Sequence, residues 1–76
     1  MMTLFSTDGC HLCEQAWQLL EQNGVSAQTE LKDIMDNEQW LADYRVRIPV
    51  LRREDGAELN WPFTAADLIE FNRVRT

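Results

Sequence analysis

The sequence predicts an α/β fold: a four-stranded mixed sheet with helices on both faces, in the order β-α-β-α-β-β-α. Three observations predict it. A short apolar run, Met2 to Ser6, passes through Thr7-Asp8-Gly9 into a stretch of helical periodicity. A second strand-like alternation follows that helix, which makes a parallel βαβ unit with a right-handed crossover. Asp55-Gly56 then marks a hairpin near the end, which adds an antiparallel pair.

Each element has its own signal. Met2 to Ser6 suits a buried central strand. In the turn after it, Gly9 permits a tight approach to Cys10. Leu12, Ala16, Leu19 and Leu20 recur at helical spacing and predict one apolar face. Asn23-Gly24 ends that helix, with Gly24 as a left-handed cap. Ala27, Thr29 and Leu31 alternate with polar residues, as in a half-buried edge strand. Asp36 or Asn37 caps a short helix carrying Trp40, Leu41 and Tyr44. Pro49 to Arg52 reads as a strand, and Glu58-Leu59 as its return. Thr64 and Asp67 form a capping box for a last helix that turns Leu68, Ile69 and Phe71 inward.

At 76 residues the chain is expected to form one domain, 1–76. A domain of this size buries only about 60% of its unfolded surface. Its 45% hydrophobic content still supplies one core. Trp17, Trp40 and Trp61 read as packing residues rather than a cofactor box. The formal net charge is −6. Nucleic acid and anionic membranes need clustered cations, so neither is an expected partner. No stretch approaches the roughly 20 apolar residues of a membrane span, and no signal-peptide pattern opens the chain. The expected location is cytoplasmic and the expected state monomeric. In a reducing compartment a C-x-x-C pair is more often catalytic or metal-binding than a structural staple.

That pair is Cys10-His11-Leu12-Cys13, which holds the only two cysteines of the chain. It stands where strand gives way to helix. Free N–H groups and the positive end of the helix dipole gather there and favour thiolate over thiol. Cys10, the more exposed, is expected to attack, and Cys13 to resolve the mixed disulfide. A protonated His11 would add positive charge, opposed by Asp8 and Glu14. The blander readings are two small buried apolar residues, a zinc site short of ligands, or a cluster shared between protomers.

Other candidates lie further along. Pro49 is either an ordinary strand-start proline or a cis-proline beside the sulfurs that leaves the Ile48 backbone free for an extended substrate. Arg45 and Arg47 could receive a substrate carboxylate, or be solvated cations balancing Asp33, Asp36 or Asp43. Trp61-Pro62-Phe63 either plugs the core or walls a substrate groove.

With Cys10-x-x-Cys13, this element order and Ile48-Pro49 in place, the chain resembles the glutaredoxin branch of the thioredoxin superfamily over nearly its whole length. Gly9-Cys10-His11-Leu12-Cys13 and Arg47-Ile48-Pro49-Val50 are similar, more narrowly, to a bacterial glutaredoxin-like group. The resemblance implies the thioredoxin fold and thiol–disulfide exchange. Cys10 takes the place of the nucleophile, Cys13 of the resolving cysteine and Pro49 of the cis-proline. It implies as substrate a disulfide-containing protein or glutathione mixed disulfide. No bound cofactor is implied, with glutathione as reductant or co-substrate. His11, Arg47, Ile48, Pro49, Trp61 and Thr64 are the candidate substrate contacts, and no metal ligand is expected. Three features depart from the family. His11-Leu12 stands for its Pro-Tyr, Thr7-Asp8 for its lysine, and Trp61-Pro62 for the Gly-Gly that admits glutathione. The alternative function is a non-catalytic thioredoxin-fold module that binds protein through Trp61, Phe63 and the Pro49 edge.

Overall fold

Residues 1–73 are described by the computed structural model. The last three residues of the expected domain span lie outside them. The four strands are β1 (Met2–Ser6), β2 (Thr29–Asp33), β3 (Val50–Arg52) and β4 (Glu58–Asn60). The helices are α1 (His11–Gln22), α2 (Glu38–Tyr44) and α3 (Ala65–Arg73). The sheet order is β2-β1-β3-β4. β1 runs parallel to β2 and antiparallel to β3, and β3 pairs antiparallel with β4. This is the mixed four-stranded architecture with helices on both faces that the sequence predicts.

Strand alternation sorts the core into two layers. Met2 and Leu4 of β1 and Leu51 of β3 pack with Ala16 and Leu20 of α1, Phe63, and Leu68 of α3. Phe5 and Val50 point the other way, onto Ile34 and Tyr44, with Trp40 and Leu41 of α2 against them. The Phe5 ring stacks on Tyr44 at 4.3 Å and meets Trp40 edge-on at 5.5 Å. α1 and α3 therefore cover one face, and α2 the other.

Some inward assignments change. Leu12 is exposed, and Cys13 takes its place on the buried stripe of α1 with Ala16 and Leu20. A helix begun at His11 rotates Leu12 outward and Cys13 inward. Ile69 is also exposed, because Leu68 alone fills the α3 contact beside half-buried Phe71. β2 starts two residues later than the alternation suggests, since Ser26–Gln28 forms a 3-10 turn. Thr29 is buried and its hydroxyl donates to the Val25 carbonyl at 2.8 Å. Ala27 and Leu31 stay exposed. A second 3-10 turn, Ile34–Asp36, is capped by the Asp33 carboxylate.

The punctuation follows the local chemistry. Gly24 takes φ +73° after the α1 C-cap residue Asn23. Asn37, rather than Asp36, caps α2, its Oδ1 accepting from the N–H groups of Gln39 and Trp40. Thr64 Oγ1 accepts from the Asp67 N–H, and Asp67 Oδ2 accepts from the Thr64 N–H. Arg53 closes the hairpin by a paired contact to Asp55 and donates to the Phe71 carbonyl at 2.8 Å, which ties the turn to α3.

A polar network crosses the α2 face. Tyr44 Oη donates to Glu58 Oε2 at 2.6 Å and accepts from Arg52 at 3.2 Å. Arg47 donates to Glu58 Oε1 at 2.7 Å and to Asn60 at 3.1 Å. The Tyr44 hydrogen bond first, then that from Arg47, holds the Glu58 carboxyl below the ordinary carboxylate range. A depressed folded value stabilises the fold above the unfolded value near 4.5 and is lost as pH falls through the folded one. Tyr44→Phe should therefore cost about 1–2 kcal/mol at neutral pH. In urea titrations that gap should shrink as pH falls below the ordinary carboxylate range. A gap absent at neutral pH, or unchanged in acid, would show that the network does not support the fold.

Candidate functional site

The site sits at the end of the sheet where β1 finishes and α1 starts. Gly9 takes φ +77°, which turns the chain sharply into the helix. Cys10 is the N-cap of α1, with extended backbone angles (φ −90°, ψ 102°). Its Sγ accepts a hydrogen bond from the Cys13 backbone N–H at 3.1 Å. Its carbonyl accepts from the Glu14 N–H at 3.1 Å. A sulfur thus occupies the place usually taken by a serine or aspartate oxygen at a helix start.

Cys10 and Cys13 are joined as a disulfide, with Cα atoms 5.2 Å apart. One turn of helix brings them together. The two sulfurs differ in setting: Cys10 is partly exposed, whereas Cys13 is 5% exposed and belongs to the buried stripe. In this oxidised pair the Cys13 N–H points directly at Cys10 Sγ.

The sheet register places the second candidate segment. Phe5 pairs with Val50, and Val50 with Asn60. One step further along each strand, Ser6, Pro49 and Trp61 fall in a row at the end where Cys10 begins α1. The Trp61 N–H donates to the Pro49 carbonyl at 3.3 Å. The Ile48–Pro49 bond is cis, as the second of its two sequence readings has it, and the Trp61–Pro62 bond is cis as well. Pro49 is buried and Ile48 packs half-buried against the α2-face cluster.

The remaining candidates differ in what holds them. Arg47 is committed to Glu58 and Asn60, and its ion-pair partner is Glu58 rather than Asp33, Asp36 or Asp43. The Thr64 N–H is taken by Asp67. The His11 side chain is 92% exposed, with Nδ1 3.9 Å from a Glu14 carboxylate oxygen. Trp61 is half-buried and edge-on to Phe63 at 5.0 Å, and Phe63 is buried in the core. Phe63 and one side of Trp61 pack into the core, and Pro62 is exposed. Among the described residues, no group of three or more His, Cys, Asp or Glu side chains is arranged to hold a metal ion. No helix there is long and apolar enough to cross a membrane.

Sequence reasoning missed the groove on the other side of the sulfurs. It has a volume of about 530 Å³ and runs from Cys10 and Cys13 between α1 and the edge strand β2. Glu14, Trp17, Gln18 and Glu21 form one wall, and their i, i+3, i+4, i+7 spacing was the available signal. Leu31 and Asp33 of β2 form the other.

Comparison with known proteins gives a consistent result. A family model described as a glutaredoxin-like domain matches residues 1–71. The chain is 37% identical to the structural genomics target protein XcR50 from X. campestris. Its crystal structure matches with a TM-score of 0.89, covering 100% of both chains. The solution structure of the same target matches at 0.86, covering 99% of this chain and 95% of that one. No curated protein matches.

The asymmetry of the pair gives a direct expectation. Limiting iodoacetamide added to the reduced protein should label Cys10 at least about tenfold faster than Cys13, since rate follows thiolate character and access. Peptide mass mapping reads the ratio. Equal labelling, or preferential labelling of Cys13, would reverse the assignment of the two sulfurs.

Proposed function

The chain belongs to the glutaredoxin-like domain family, and from that premise and the geometry of the cysteine pair we infer that it is a small thiol–disulfide oxidoreductase. The observation that carries this reading is the Cys10 Sγ at the N-cap of α1, accepting the Cys13 N–H, with its bonded partner one turn inside.

Cys10 is the nucleophile and Cys13 the resolving cysteine. In the reduced protein the Cys10 thiolate attacks one sulfur of a substrate disulfide. A Cys10–substrate disulfide forms, the substrate S–S bond breaks, and one substrate thiolate leaves and takes a proton from water. The Cys13 thiol then gives its proton to water and attacks Cys10 Sγ. The Cys10–Cys13 bond forms and the second substrate thiolate leaves. The substrate gains two electrons and the pair loses two. A low-molecular-weight thiol such as glutathione, or a reductase, restores the dithiol. The helix start supports the first step by holding the attacking Cys10 anion.

The Ile48–Pro49 segment, in the row with Ser6 and Trp61, offers backbone to a substrate chain beside the sulfurs. The substrate is a disulfide-containing protein or a mixed disulfide. We place the activity in the cytoplasm, where a reducing pool can reload the pair, and take the working unit to be a monomer without a bound cofactor.

Turnover of a protein disulfide substrate, supplied separately with glutathione and with a thioredoxin reductase system, tests the reading. Activity is expected with one of them, falling at least about a hundredfold in Cys10→Ser. Cys13→Ser should accumulate a mixed disulfide visible by mass. No turnover with either donor, or full turnover in Cys10→Ser, would refute the oxidoreductase reading.

A further inference from the structure

We propose that the groove between α1 and β2 selects extended, cationic peptide segments, so that the disulfides this protein reduces are those flanked by lysine or arginine. The proposal rests on the oxidoreductase reading above and names the substrate class of that same site. The groove ends at the two sulfurs, so a chain lying in it presents its own disulfide to Cys10.

Three features of the groove converge on this occupant. Its volume of about 530 Å³ is room for several side chains. Each wall carries apolar surface, Leu31 at 55% exposure on one and half-buried Trp17 on the other, which suits the aliphatic stems of long basic side chains. Its border is β2, the edge of the sheet, whose outer side pairs with no strand among the described residues. An extended chain can therefore lie along it.

Charge then decides which peptide. Asp8, Glu14, Glu21, Asp33 and Asp36 line the groove, and among the described residues no lysine or arginine does. Nearby His11 faces Glu14, and Asp33 also caps the following turn through the Met35 N–H. Lys32 projects from β2 but is paired with Glu30. Arg47, the cation nearest in sequence to the cis-proline, is held by Glu58. An anionic ligand meets repulsion on this side of the sulfurs, whereas a basic one is drawn in. Single-sign clefts of this kind raise on-rates by roughly 10- to 1,000-fold at low salt.

The test uses the pre-reduced protein and three probes. Two are short peptides with one cysteine blocked as a disulfide with 2-mercaptoethanol, flanked by lysines in one and by glutamates in the other. The third is the neutral disulfide of 2-mercaptoethanol. In each case the Cys10 thiolate displaces one thiol and Cys13 the other, which leaves the pair oxidised. The lysine peptide should exchange at least about tenfold faster than the glutamate peptide at low salt, and the ratio should fall towards unity in about 0.5 M salt. Glu14→Gln combined with Glu21→Gln should reduce the ratio several-fold, and Glu14→Lys with Glu21→Lys should invert it. Removing the same charge elsewhere, by Glu54→Gln in the β3–β4 turn with Glu70→Gln in α3, neither of which lines the groove, should leave the ratio within about twofold, since a charge acts most strongly on what lies nearest. Because the ratio compares two peptides on one protein, a change in the Cys10 thiolate fraction cancels. Exchange with the neutral probe but equal rates for the two peptides would overturn this proposal alone. Failure to exchange with the neutral probe would overturn the oxidoreductase reading beneath it.

Discussion

One hydrogen bond organises this protein's chemistry: the Cys13 backbone N–H to the Cys10 sulfur, at the first turn of α1. It places a polarisable, ionisable atom where a helix has unsatisfied donors and about half a positive charge. Magnitudes show why this contact dominates. A hydrogen bond to an ionised acceptor contributes about 1.5–3 kcal/mol. Asp8 and Glu14 oppose a sulfur anion, but exposed charges interact by about 1 kcal/mol or less in water. On the proposed reading the balance favours the anion. The same turn of helix brings the partner sulfur within bonding reach, so the proposed activation and resolution share one local geometry.

The rest of the fold holds that turn in place. Register carries Ser6, Pro49 and Trp61 to one end of the sheet, and β1 delivers the chain directly into Gly9 and Cys10. On the far face, Tyr44, Glu58, Arg47 and Arg52 link the end of α2 to the hairpin strands. That network also consumes the cation that could have met a ligand carboxylate near the cis-proline. The acidic groove lies on the opposite flank, over β2. The two flanks of the sulfurs are thus unlike: one is backbone and aromatic, the other an open, negatively charged channel.

Much of this was legible in the sequence because it depends on short-range rules. Asn37 as a cap, Gly24 as a helix stop, Asp55-Gly56 as a hairpin and Thr64 with Asp67 as a capping box are all local chemistry, and all appear. The cysteine pair is local too. Leu12, Leu31 and Ile69 were misplaced because apolar periodicity cannot tell which stripe a neighbour will cover. For Leu12 the buried position went to Cys13, whose small side chain fits closely under the helix. For Leu31 the reason is the sheet edge, which α1 leaves uncovered. The Arg47–Glu58 pair joins residues eleven apart across a strand pairing, and Arg53 reaches α3, so neither had a local signature. The groove was invisible for the same reason: its acidic groups come from three separate segments.

The most direct test of this account is the ionisation of Cys10 in the reduced protein, followed by ultraviolet thiolate absorbance against pH with Cys10→Ser as the reference. The account predicts a transition below about pH 7.5 that disappears in the variant, against about 8.5 for a free cysteine. A transition at or above the free value would mean that the helix start does not hold the anion, and the account of the site would be wrong.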